Sequence, residues 1–253
     1  MMAESSLAVE SRRIAMLIDG DNAQPSLIEN VLTEVGKYGL VTIRRIYGDW
    51  TTESMKGWKE NLQVHAIQPI QQFRYTIGKN ATDSAMIIDA MDILYGGVVN
   101  GFCLVSSDSD YTRLATRIRE KGFFVMGIGK KNTPRAFVNA CEIFVYTENL
   151  LTEADISKPK ATKPRKRARA AEQIPPELLP LLKSALEMAV QDDGWAFLAT
   201  VGNRLRQLDP GFDLRTYGSK QLSLLIRAYP KTFEVREVKS QDGPSDIYVR
   251  LRD

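Results

Sequence analysis

Ile14-Ala15-Met16-Leu17-Ile18-Asp19-Gly20-Asp21-Asn22 sets five apolar residues directly against two carboxylates. A short apolar run bounded by turn residues reads as a strand buried on both faces, as in a parallel sheet. Asp19 then stands at the strand's carboxyl end, where an open α/β sheet forms its crevice. Phe102-Cys103-Leu104-Val105 followed by Ser106-Ser107-Asp108-Ser109-Asp110 repeats the arrangement. Lys79-Asn80-Ala81-Thr82-Asp83 opens a helical segment running to Tyr95. Taken singly, each aspartate reads as a helix cap or turn residue, and one in a first helical turn is favoured by the helix dipole. Taken together, the three stretches bring Asp19, Asp83, Asp108 and Asp110 to one crevice. Carboxylates gathered there repel unless a cation sits between them, and a hard divalent ion such as Mg²⁺ or Mn²⁺ suits oxygen ligands.

Around these stretches the chain alternates strands and helices. Ile14–Ile18, Leu40–Tyr47, Leu62–Ile67, Gly101–Val105, Phe123–Ile128 and Ile143–Tyr146 read as strands. A helix opening near Pro25 and running to Tyr38, a short one at Met55–Asn61, Asp83–Tyr95, Tyr111–Lys121 and Arg135–Ala140 fill the gaps. The alternation predicts βαβ units, right-handed crossovers and a mostly parallel sheet. Gly20 has no Gly-rich continuation, which excludes a P-loop and a dinucleotide fingerprint.

Residues 151–174 form a linker with no material for a core. Between 156 and 171 it holds seven basic residues, Lys158, Lys160, Lys163, Arg165, Lys166, Arg167 and Arg169, and no acid. Setting those seven aside leaves 27 basic against 31 acidic side chains, so the +3 net charge is local to the linker. Its cations, Lys163, Arg165, Lys166, Arg167 and Arg169 above all, suit the phosphates of any polyanion or equally the solvated surface of a charge-biased linker. Beyond it, helices at Glu177–Gln191, Leu198–Leu208 and Ser219–Ala228 precede two strand-like runs, Thr232–Val238 and Ile247–Leu251, joined across Asp242-Gly243. That is a small winged-helix (α+β) arrangement, with Arg204, Arg206, Arg215, Lys220 and Arg227 available either to nucleic acid or to solvent.

His65 is the only histidine, which excludes His-based triads and imidazole zinc sites. It reads as a strand residue with a structural role. Cys103 and Cys141 lie in apolar surroundings and read as buried free thiols. Trp50, Trp58, Phe73 and Tyr75 suit base stacking or core packing equally. Lys79 is placed either to approach a scissile phosphate or to balance the carboxylates. Asp89, six residues beyond Asp83 on the same helix, falls outside the shared cation site. No apolar run reaches membrane-spanning length, and residues 1–11 form a flexible leader without a signal-peptide core, as in a cytoplasmic protein.

The three aspartate stretches, with Tyr111 and the Gly122–Gly129 segment, resemble an NYN domain of the LabA/DUF88 type across residues 12–150. The resemblance implies a PIN-like three-layer α/β/α fold and a metal-dependent ribonuclease. It makes Asp19, Asp83, Asp108 and Asp110 the catalytic metal ligands, with Asn22 and Ser107 supporting them. In that scheme Asp19, Asp83 and Asp108 hold the ion, while Asp110 completes the site or orients water. Trp195-Ala196-Phe197-Leu198, Val201-Gly202, Phe212-Asp213, Tyr217-Gly218 and Tyr248-Val249 resemble an OST-HTH/LOTUS domain across 175–253, a winged-helix module associated with RNA and, in some members, protein partners. Two other readings stand beside the ribonuclease. One is a non-catalytic RNA-binding adaptor. The other is a haloacid-dehalogenase-like phosphatase, suggested by Asp19-Gly20-Asp21 but lacking the expected Thr or Val at Ala23.

Overall fold

The computed structural model describes residues 12–73, 81–151, 174–238 and 245–252. Lys79, Tyr75, the linker cations Lys163, Arg165, Lys166, Arg167 and Arg169, and the Asp242-Gly243 turn lie outside them. The chain divides into two compact units, Met1–Ser157 and Lys158–Asp253.

The first unit is built on six parallel strands in the order β3-β2-β1-β4-β5-β6. They are β1 (Arg13–Asp19), β2 (Leu40–Gly48), β3 (Gln68–Gln71), β4 (Gly101–Val105), β5 (Phe124–Gly129) and β6 (Ile143–Tyr146). The helices are α1 (Ile28–Gly36), α2 (Lys59–Val64), α3 (Ala81–Gly96), α4 (Thr112–Glu120) and α5 (Arg135–Ala140). β1 lies at the centre, and its alternate residues feed two cores. Ala15 and Leu17 pack with Met86 and Ala90 of α3 and Leu114 and Ile118 of α4. Ile14, Met16 and Ile18 pack with Ile28, Val31 and Val35 of α1. Helices on both faces of the sheet make the three-layer α/β/α sandwich, and explain why β1, β4 and β5 read as unbroken apolar runs. The sheet is wholly parallel within these strands. Strand order reverses at β1 and β4, and the crevice outside their carboxyl ends is where such sheets place a site.

One strand falls elsewhere than the sequence predicts. Leu62–Val64 belong to α2, and the third strand is Gln68–Gln71. Leu62, Val64 and Ile67 suggest alternation, yet Val64 is 69% exposed. The pattern that wins is helical: Met55, Trp58 and Leu62 share one packed face on the α1 side. His65 then caps α2, and Ala66, at φ 49°, turns the chain toward β3. Gln68-Pro69-Ile70-Gln71 is polar because it is an edge strand, where proline is tolerated. Trp58 is core, Trp50 donates its indole N–H to the Ile70 carbonyl, and Phe73 is half exposed. Both cysteines are buried and free.

The second unit packs α6 (Leu178–Glu187), α7 (Leu198–Leu208) and α8 (Leu222–Arg227) against a sheet in the order β7-β9-β8. β8 (Phe233–Val238) and β9 (Asp246–Leu251) form an antiparallel pair, and β7 (Ala196–Phe197) adds a two-residue strand on β9. Leu182, Leu186, Val201, Leu205, Leu225, Ile226, Phe233 and Val249 make its core. Three helices with this small sheet are winged-helix-like.

Candidate metal centre

β1 delivers Asp19 to the crevice on the same sheet face as Ala15 and Leu17, two and four residues back, and so toward α3 and α4. Asp19 is fully buried. Its Oδ2 accepts from Asn22 Nδ2 at 2.6 Å and from Ser106 Oγ at 2.8 Å, and its Oδ1 accepts from the Asp21 N–H at 3.1 Å. Burial raises its pKa above the ordinary carboxyl range, the Asn22 and Ser106 hydrogen bonds pull the other way, and the nearby Asp83 charge raises it further. By donating to Asp19, Ser106 ties the two central strands together, and its hydroxyl also accepts the Asp108 N–H at 3.0 Å.

Beyond β4 the chain makes a 3-10 turn, Ser109–Tyr111, capped by Asp108, whose Oδ1 accepts the Asp110 N–H at 2.9 Å. The capping role and the site role thus fall on one side chain. Asp83 sits in the first turn of α3. Its Oδ1 accepts from the hydroxyl of the buried Tyr111 at 2.7 Å. Burial raises the Asp83 pKa most; the Tyr111 hydrogen bond lowers it, and the charges of Asp108, Asp110 and Asp21 raise it. Burial and the neighbouring carboxylates also push the Tyr111 phenol up, so it stays a hydrogen-bond donor at any physiological pH.

Oxygen atoms of Asp83, Asp108 and Asp110 all lie within 4.8 Å of one another. Three hard, negatively charged donors at that spacing fit a divalent cation, whose charge would offset their mutual repulsion. Asp19 is not among these three; it stands beside Asp83 with both oxygens engaged by the chain. Ser107 turns to the backbone, its hydroxyl accepting the Lys130 N–H at 2.8 Å, and Asn22 holds Asp19. Asp89 is held by Arg45 and Tyr47. Tyr111 and Ser106 orient the carboxylates, a role that their place in the aspartate stretch does not by itself disclose.

Residues 13–151 match the family model of the NYN domain. The chain belongs to the NYN domain family. A second model, of the OST-HTH/LOTUS domain, matches residues 171–243 of this NYN protein. Comparison with curated proteins gave no match. Among solved structures, a protein of unknown function from Vibrio parahaemolyticus is similar at 19% identity and a TM-score of 0.44, over 53% of this chain and 92% of that one. An uncharacterized protein from Nitrosomonas europaea is similar at 33% identity and a TM-score of 0.29, over 38% of this chain and 90% of that one.

In the OST-HTH unit of the NYN protein, Arg215 pairs with Asp213 at 2.6 Å and Arg227 pairs with Glu237, while Arg206 and Lys220 are exposed. Arg236 and Arg250 lie over the Trp195 ring at 4.6 and 4.7 Å, each also paired to a carboxylate, Asp193 and Glu234. No helix among the described residues is long and apolar enough to cross a membrane.

Proposed function

We propose that the NYN unit is a divalent-metal-dependent ribonuclease and that the OST-HTH unit and the basic linker hold its RNA. The observation that carries this reading is the convergence of Asp83, Asp108 and Asp110 within 4.8 Å at the sheet's switch point. Asp83, Asp108 and Asp110 would hold Mg²⁺ or Mn²⁺. When bound, the ion would activate water and offset charge on the phosphoryl oxygens of the scissile phosphodiester. Tyr111 fixes the Asp83 carboxylate, and the Asp108 cap fixes the turn that carries Asp110. Asp19, kept in place by Asn22 and Ser106 and adding negative potential beside Asp83, would be the fourth carboxylate of the site. Asn22 and Ser107 support the crevice, and Lys79 would approach the substrate phosphate. The engaged, fully buried Asp19 argues against a phosphatase in which that carboxylate is the nucleophile. The proposed boundaries are 12–150 for the NYN domain, 151–174 for the linker and 175–253 for the OST-HTH domain. In the linker, Lys163, Arg165, Lys166, Arg167 and Arg169 would raise the local concentration of RNA through phosphate contacts.

The test is cleavage of a labelled single-stranded RNA by the full chain with Mn²⁺ or Mg²⁺, and again with EDTA. Cleavage that persists in EDTA, or its absence with either ion, rejects the reading. A second measurement needs no turnover. Mn²⁺ at a hundred times its dissociation constant should stabilise the NYN unit by about 2.7 kcal/mol. That corresponds to a rise in its melting temperature of roughly 8 °C.

A further inference from the structure

Helix α3 carries apolar residues nearly all the way round. Thr82, Met86, Ala90, Ile93 and Leu94 are buried toward the sheet, while Ile88 is 63% and Tyr95 68% exposed on the other side, with Ile87 and Met91 between. Rolling such a helix about its axis exchanges one apolar row for another, so burial alone specifies its rotation weakly. Yet the rotation decides where Asp83 points. At 3.6 residues per turn, Asp83 and Asp89 lie about 60° to either side of Met86, one on each shoulder of the buried stripe. Each is gripped. Asp83 accepts from Tyr111, and Asp89 accepts from both Arg45 and Tyr47 of β2. Tyr47 is fully buried, and its backbone pairs with Asp19 in the sheet register.

We infer that Asp89 is a positioning residue of the metal centre: its grip on Arg45 and Tyr47 sets the roll of α3 and thereby aims Asp83 at Asp108 and Asp110. The inference rests on the proposed metal site. Asp89 does not touch the ion. It opposes the pull of Tyr111 from the other side of the helix, so that Asp83 is held rather than merely placed. The desolvated hydroxyl of Tyr47 and the guanidinium of Arg45 have the geometry for this because β2 is the strand next to β1, directly beneath α3.

The test is the Mn²⁺ dissociation constant of the full chain, read from the EPR signal of free Mn²⁺. Asp89→Asn should weaken Mn²⁺ binding on the order of 10- to 100-fold, the range for outer residues that orient metal ligands. Tyr47→Phe should weaken it about ten-fold; it changes no charge, so a loss there is not long-range attraction for the cation. The double variant should bind no worse than Asp89→Asn, because both act through one contact. Val31→Ala, in the core on the opposite face of the sheet, should lower the melting temperature while leaving Mn²⁺ affinity at the wild-type value. Wild-type affinity in Asp89→Asn would overturn the inference, as would an equal loss in Val31→Ala, which would make the effect one of stability. A wild-type chain that binds no Mn²⁺ would overturn the metal site itself and this inference with it.

Discussion

Asp108→Asn is expected to lower Mn²⁺-dependent RNA cleavage by the NYN unit at least on the order of 100-fold without disturbing the turn that carries it. The asparagine carbonyl still accepts the Asp110 N–H that Asp108 Oδ1 accepts now, so the cap survives and only the charge is lost. Asp83→Asn should lose activity to the same degree, and Tyr111 still has an oxygen to donate to. Stability should move the other way. In EDTA, Asp83→Asn relieves the desolvation of a carboxylate and the repulsion of Asp108, Asp110 and Asp21, a gain in stability kept small by the half-exposed setting. The sign with pH follows. A carboxyl whose folded pKa is raised contributes stability that is fully present below the ordinary carboxyl range and is lost as pH rises through its folded value. The chelated wild type should therefore weaken as pH rises through that window, and Asp83→Asn should weaken less. Melting curves in EDTA across the window read this directly. Equal cleavage by the wild type and both variants would instead mark a contaminating nuclease, and the ribonuclease proposal would fall.

Gly127→Ala should cost about 3 kcal/mol and lower the melting temperature of the NYN unit by roughly 10 °C. Gly127 lies in the buried strand β5. A methyl group there would sit less than 3.0 Å from two ring carbons of Phe144 and from the sulfur of Cys141. Phe144 is itself fully buried, with Phe137 edge-on at 5.7 Å between ring centres, so the ring has nowhere to retreat. Thermal unfolding with and without the substitution decides it. A change under about 1 kcal/mol would mean that the core around Phe144 relaxes more freely than its packing implies.

The parts of the fold that sequence foretold are those where one physical signal dominates. β1, β4 and β5 announced themselves because burial on both faces leaves no room for polar residues, and Gly122 marked the end of α4. β3 is not legible in the sequence because an edge strand needs no apolar pattern, and the apolar residues before it serve α2 instead. β7 escaped because two residues carry no period. In the site, the convergence of the three aspartate stretches follows from two strand ends and one helix start. Which carboxylates come within reach of one ion does not. That depends on side-chain placement across the fold: Ser106 reaches Asp19 from 87 residues away, alongside the local donors Asn22 and the Asp21 N–H. The grip of Arg45 and Tyr47 on Asp89 is equally non-local.

Pro69 bears on how this protein survives at high concentration. It interrupts the four-residue strand at the open margin of the sheet with a residue that has no N–H to give. A strand arriving from another molecule would meet a broken row of donors there, and zipper-like growth of sheet onto sheet stalls at that border. Replacing Pro69 with valine would complete the row, and the cost would appear as turbidity on refolding rather than as any change in the native molecule.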